Sequence, residues 1–216
     1  MTLSTADANR FLRDLCARAP IIPVLVIEDA ASAADLARAL VAGGLPALEV
    51  TLRTPAALDA IREMAGVEGG VVGAGTLLSP ADIARAVDAG ARFGVAPGAT
   101  DRLLDAAAEA GLPILPGAVT ATEAMRLIER GVEIAKFFPA ETSGGAAALK
   151  ALGGPLPQLS FCPTGGITPQ NAASYLSLPN VVCAGGSWVA PGDLVRAGDW
   201  VGIEALAREA AALPRA

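Results

Sequence analysis

The sequence predicts an α/β fold, a single (β/α)8 barrel of the TIM type with an extra N-terminal helix. Three observations carry this. Short apolar runs alternate with Ala-rich amphipathic segments through the chain. The runs start roughly 20 to 26 residues apart, the length of one strand, one helix and two short loops. Eight such units are present, and eight parallel units close into a barrel. An open doubly wound sheet is the alternative, but it usually carries five to seven strands and a glycine-rich phosphate turn after its first strand, and no such turn is present.

Residues 1–20 precede the first strand and read as the extra helix, packed over the bottom of the barrel. The segment carries Asp7, Arg10, Arg13 and Asp14 among its apolar residues and is not expected to be a secretory signal. The expected strands are Ile21–Ile27, Ala47–Leu52, Gly70–Ala74, Arg92–Val95, Pro113–Leu115, Glu133–Phe138, Gln158–Cys162 and Val181–Ala184. Between them, Ala33–Ala42 is a helix stopped by Gly43-Gly44, and Ala81–Ala89 follows Ser79-Pro80 and stops at Gly90. Thr100 or Asp101 caps a helix whose Leu103, Leu104, Ala107 and Ala108 share one face and which stops at Gly111. Thr120–Arg130 stops at Gly131 in the same way. No linker divides the 216 residues, so one domain is expected over 1–216.

Composition narrows the function. Hydrophobic residues make up 53% and charged residues 18%, enough apolar material for a large core. A net charge of −6 argues against nucleic acid or an anionic membrane as partner, and no apolar run is long enough to span a bilayer. The odd number of cysteines, Cys16, Cys162 and Cys183, fits no zinc spacing and reads as reduced core thiols of a cytoplasmic protein. No metal is expected. The chain has no histidine, which excludes His-based triads and HExxH zinc sites and leaves carboxylate, lysine, tyrosine or water for proton transfer.

Lys136, one of two lysines, lies in Glu133-Ile134-Ala135-Lys136-Phe137-Phe138-Pro139, otherwise a buried strand. A buried ammonium needs a partner or a use, and the usual use is attack on a carbonyl to form a Schiff base. The bland alternative is a lysine snorkelling to water. In a barrel the active site lies at the C-terminal strand ends. There the sequence places Glu49 and Arg53, Thr76, Pro97, Lys136 with Phe138, Thr164-Gly165-Gly166, and Gly185-Gly186-Ser187. Glu49 could equally pair structurally with Arg53, the glycine pairs could be turns, and Thr76 or Thr164 could be helix caps. Convergence on one end of a barrel favours chemistry: Lys136 as nucleophile, Glu49 as acid–base, and Arg53 as a bidentate clamp for a substrate carboxylate. The glycines after strands seven and eight sit where barrels of this kind bind phosphate, with Ser187 expected to open a short helical segment there.

The motifs Glu49-Val50-Thr51-Leu52-Arg53-Thr54, Gly73-Ala74-Gly75-Thr76, Lys136-Phe137-Phe138-Pro139-Ala140, Phe161-Cys162-Pro163-Thr164-Gly165-Gly166-Ile167 and Gly185-Gly186-Ser187-Trp188 resemble the class I 2-keto-3-deoxy-6-phosphogluconate (KDPG) aldolases, which also handle 4-hydroxy-2-oxoglutarate (KHG). The resemblance covers nearly the whole chain. It implies cleavage of 2-dehydro-3-deoxy-6-phosphogluconate to pyruvate and glyceraldehyde 3-phosphate, as in the Entner–Doudoroff pathway, with no metal or other cofactor and a homotrimeric assembly. It further implies Lys136 as the Schiff-base residue and Glu49 as acid–base. Arg53, Thr76 and Pro97 would line the pyruvate pocket with Phe138 beside the lysine, and Thr164, Gly165, Gly166, Gly186 and Ser187 would hold the hydroxyl and phosphate end. The rival expectations are an aldolase of different substrate preference, a non-covalent phosphosugar isomerase, and a binding module without activity.

Overall fold

The computed structural model describes residues 2–216. The helix α1 (Thr5–Ala17) starts at Ser4, whose side chain accepts from the Asp7 N–H, and precedes β1 (Ile21–Leu25). Then follow α2 (Ala33–Ala42), β2 (Ala47–Thr51), α3 (Ala57–Ala65), β3 (Val71–Gly75), α4 (Pro80–Asp88), β4 (Phe93–Val95), α5 (Asp101–Glu109) and β5 (Ile114–Leu115). The second half comprises α6 (Ala121–Glu129), β6 (Ile134–Phe137), α7 (Gly145–Gly153), β7 (Ser160–Pro163), α8 (Ala172–Leu176), β8 (Ala184–Gly186), α9 (Gly192–Ala197) and α10 (Trp200–Ala211).

All pairings are parallel. One sheet runs β5-β4-β3-β2-β1-β8 and a second pairs β6 with β7. Isolated bridges join the two at both seams: Gly117 with Lys136 between β5 and β6, and Thr164 with Gly185 between β7 and β8. The result is a curled parallel sheet, its outer face covered by helices.

Strand alternation sorts the core into two clusters. Leu48 and Val50 of β2, Ala135 and Phe137 of β6 and Phe161 of β7 join Leu36, Leu40, Ile61 and Met64 between sheet and helices. The opposite parity points to the concave side. There Ile22, Ala47, Phe93, Val95, Leu115, Ile134, Cys162 and Cys183 pack with Leu12, Leu15 and Cys16 of α1. Each fully buried Leu, Ile, Val or Phe side chain among these contributes about 1.5–3 kcal/mol. The helix α1 therefore closes the lower, N-terminal end. All three cysteines are free and buried there, as the sequence predicts. The neighbouring Cys16 and then Cys162 thiols, with burial, push the Cys183 thiol up in pKa.

Two expectations need correction. The last strand is shifted: Val181–Ala184 was the expected run, whereas β8 is Ala184–Gly186. Gly185-Gly186 reads locally as a turn, but Ile22 and Pro23 of β1 supply ladder partners that override it. Nor does Ser187 open a helix, because α9 begins only at Gly192.

Candidate active site

The same alternation that builds the inner core places the polar residues. One inward step above Ala47 on β2 comes Glu49, and the next is Thr51. Above Ile134 on β6 comes Lys136, and above Cys162 on β7 comes Thr164. Lys136 is 6% exposed and Glu49 3%. The Lys136 Nζ donates to Glu49 Oε1 at 3.1 Å and lies 5.3 Å from the centre of the Phe138 ring. Glu49 therefore pairs with Lys136 and not with Arg53, which removes the structural Glu49–Arg53 ion pair.

Space for the carboxylate comes from its neighbour. Gly75 on β3 is the ladder partner of Thr51, and a Cβ there would meet Glu49 Cγ at 2.7 Å and Cδ at 2.9 Å. Gly73 makes room for Phe93 in the layer below, and Gly185 makes room for Thr164, whose Cγ2 would stand 2.9 Å from an added Cβ. Directly after Gly75, Thr76 adopts φ of +63°, a left-handed conformation that a β-branched residue holds only at a cost of about 1–3 kcal/mol.

Above the ion pair, Val24, Thr51, Arg53, Thr76, Pro97, Lys136, Phe138 and Thr164 line one cleft, open to solvent on one side. Five strands and their following loops thus bring Arg53, Thr76, Pro97, Phe138 and Thr164 to the lysine, as expected from their places at strand ends. Arg53 is exposed at the rim, and its Nε donates to Thr51 Oγ1 at 3.1 Å. Thr51 in turn donates to the Leu25 carbonyl at 2.8 Å. That leaves the terminal guanidinium nitrogens turned away from this bond and free to meet an anion. Thr51 and Val24 escaped the sequence reading. Their signal is parity alone: Thr51 lies two inward steps above Ala47, and Val24 one above Ile22.

Gly165 and Gly166 lie beside this cleft rather than in its lining, with φ of +97° and +79°. The Gly165 carbonyl accepts from the Glu141 N–H at 3.1 Å and the Gly166 carbonyl from Asn171 Nδ2 at 2.9 Å. The Gly165 N–H faces the Gly185 carbonyl across the β7–β8 bridge, whereas among the described residues the Gly166 N–H donates to no protein acceptor, so one donor remains for an anion. Ser187 is exposed directly after β8, whereas Gly185 and Gly186 are buried within it. A second cleft, between α1 and α5, is lined mainly by Leu3, Leu12, Leu104 and Leu112 and gathers no nucleophile with a base. Among the described residues no group of His, Cys, Asp and Glu side chains is arranged to hold a metal, and no helix is long and apolar enough to cross a membrane.

Comparison with known proteins agrees with this geometry. The family described as KDPG and KHG aldolase matches residues 12–206. A 2-dehydro-3-deoxy-phosphogluconate aldolase of Pseudoalteromonas atlantica is 52% identical over 201 residues, covering 93% of this chain and 94% of its own. The structure of the 2-keto-3-deoxy-6-phosphogluconate aldolase of Zymomonas mobilis ZM4 with 3-phosphoglycerate superposes with a TM-score of 0.91 at 48% identity, covering 96% of this chain and 98% of that one. The KDPG aldolase of Legionella pneumophila, with pyruvate captured as a covalent carbinolamine, superposes with a TM-score of 0.89 at 42% identity, over 93% of this chain and 98% of that one. With a buried lysine–glutamate pair at the foot of a strand-end cleft and a match running from α1 into α10, the chain belongs to the KDPG and KHG aldolase family.

Proposed function

We propose that the chain is a class I aldolase that cleaves 2-dehydro-3-deoxy-6-phosphogluconate to pyruvate and glyceraldehyde 3-phosphate, and 4-hydroxy-2-oxoglutarate to pyruvate and glyoxylate. The observation that carries the proposal is the buried contact of Lys136 Nζ with Glu49 Oε1 at the base of the cleft. The two seam bridges support reading the curled sheet as a closed (β/α)8 barrel in one domain, with α1 as its extra N-terminal helix.

Lys136 attacks the C2 carbonyl of the 2-keto acid, and Glu49 takes the proton that the ammonium must lose. The carbinolamine expels water, with Glu49 returning the proton, and leaves an iminium. Removal of the C4 hydroxyl proton by the Glu49 carboxylate then breaks the C3–C4 bond. Its electron pair flows into the iminium to give an enamine, and the aldehyde departs. Protonation of the enamine at C3 and addition of water release pyruvate and the free amine. Arg53 and Thr76 hold the substrate carboxylate and Pro97 and Phe138 flank the carbonyl. Thr164 meets the hydroxyl end, and Gly165, Gly166, Gly185, Gly186 and Ser187 form the phosphate end. The captured pyruvate in the Legionella pneumophila relative supports the covalent route. We place the enzyme in the cytoplasm and, from the family likeness, as a homotrimer, which light scattering tests.

Borohydride reduction in the presence of pyruvate, followed by peptide mass mapping, tests the chemistry. A pyruvyl adduct on Lys136 is expected, with exposed Lys150 and the N-terminal amine as the competing amines. A folded protein that forms no adduct would sink the covalent reading.

A further inference from the structure

The three-residue turn after β6 presents a puzzle at the phosphate end. Glu141, an exposed carboxylate, sits against the glycines proposed to bind phosphate: a Cβ on Gly166 would meet its Cγ at 2.6 Å and its Cβ at 2.7 Å. Its backbone N–H holds the Gly165 carbonyl, and Ala140 likewise holds the Thr164 carbonyl at 2.8 Å. A carboxylate carried on a side chain that packs against Gly166 is a competitor for the free Gly166 N–H, and it would repel an incoming anion as well. In the structure it is held elsewhere. The hydroxyl of Tyr175, a fully buried residue of α8, donates to Glu141 Oε1, and that oxygen lies against Gly145, whose φ of +62° leaves no side chain in the way.

We infer that Tyr175 is a positioning residue for the phosphate end, drawing the Glu141 carboxylate toward Gly145 and so keeping the Gly166 N–H free for substrate. The inference rests on the phosphate reading of those glycines. Burial and then the Glu141 hydrogen bond and charge raise the Tyr175 pKa far above the usual phenol range, so the donor keeps its proton at any working pH.

The test separates a charge effect from a merely structural one. Tyr175→Phe keeps the ring and removes only the hydroxyl. It should raise KM for the phosphorylated substrate about tenfold and weaken competitive inhibition by inorganic phosphate by the same factor. The kcat and the KM for 4-hydroxy-2-oxoglutarate should stay within about twofold. Adding Glu141→Gln, which removes the charge, should restore phosphate inhibition. Equal losses on both substrates, or no rescue by Glu141→Gln, would overturn the inference. Should Tyr175→Phe fold poorly, Glu141→Gln alone decides: KM for the phosphorylated substrate should fall or hold, and a rise overturns the inference. Ser187→Ala provides the control. Phosphate inhibition weakened in Ser187→Ala but unchanged in Tyr175→Phe overturns this inference alone, and inhibition unchanged in both overturns the phosphate reading beneath it.

Discussion

A buried lysine–glutamate pair is poor value as a stabilising device, because desolvating two ions offsets most of their attraction. On the mechanism proposed above, the proximity of Lys136 and Glu49 is what the pair is for. That shifts weight onto whatever fixes the carboxylate, and the structure assigns this to an absence at position 75. A methyl group on Gly75 would overlap Glu49 from Cγ to the carboxylate, while the strand backbone there suits any residue. Gly75→Ala should therefore lower kcat about a hundredfold, in line with the cost of an ångström of misplacement, while the protein stays folded. Turnover within threefold of the parent, read in a coupled assay, would remove the positioning role. Lys136 and Glu49 were legible in the sequence because charges interrupting apolar strands stand out. Thr51 was not, since threonine is an ordinary strand residue. Gly75 was visible within a motif, but a missing side chain leaves no trace in sequence of what fills its place.

The elements were legible where the chain carries its own punctuation. The bounds of α2 were read correctly, with its stop at Gly43-Gly44; of the two caps offered for α5 it is Thr100 that caps, and Thr120, expected as the first residue of its helix, is instead the cap of α6. The latter cap is reciprocal: the Thr120 side chain accepts from the Glu123 N–H, and Glu123 accepts from the N–H groups of Thr120 and Val119. Those hydrogen bonds, Thr120's first, lower the Glu123 pKa. A depressed folded pKa means that the stabilisation is present above the ordinary glutamate range and is lost as pH falls through the folded value. Thr120→Ala should cost about 1 kcal/mol in urea unfolding at neutral pH. The gap between the parent and Glu123→Ala should narrow on acidification, and a gap constant down to strongly acid pH would refute the cap's charge dependence. Where punctuation misleads, as at Gly185-Gly186, only the distant partner strand decides, and local sequence cannot supply it.

At the scale of the whole molecule, the alternation of apolar runs and amphipathic segments anticipated a curled parallel sheet covered by helices, but the seams at Gly117–Lys136 and Thr164–Gly185 join separate strand ends and have no local signature. The closed lower end has a kinetic consequence. Leu12, Leu15 and Cys16 of α1 pack against the interior from below, so the cleft that holds the Lys136 amine opens away from α1, with exposed Arg53 at its rim. Substrate enters carbonyl first. On the proposed Schiff-base mechanism, the phosphorylated aldehyde formed by C–C cleavage stands between the tethered three-carbon fragment and the open mouth of the cleft. It must leave first, and pyruvate last. Product inhibition should show this directly, pyruvate competing with substrate and glyceraldehyde 3-phosphate acting non-competitively, and the reverse pattern would demand a second exit. The order of departure is then a matter of traffic in a one-way street, set by shape and indifferent to which product binds more tightly.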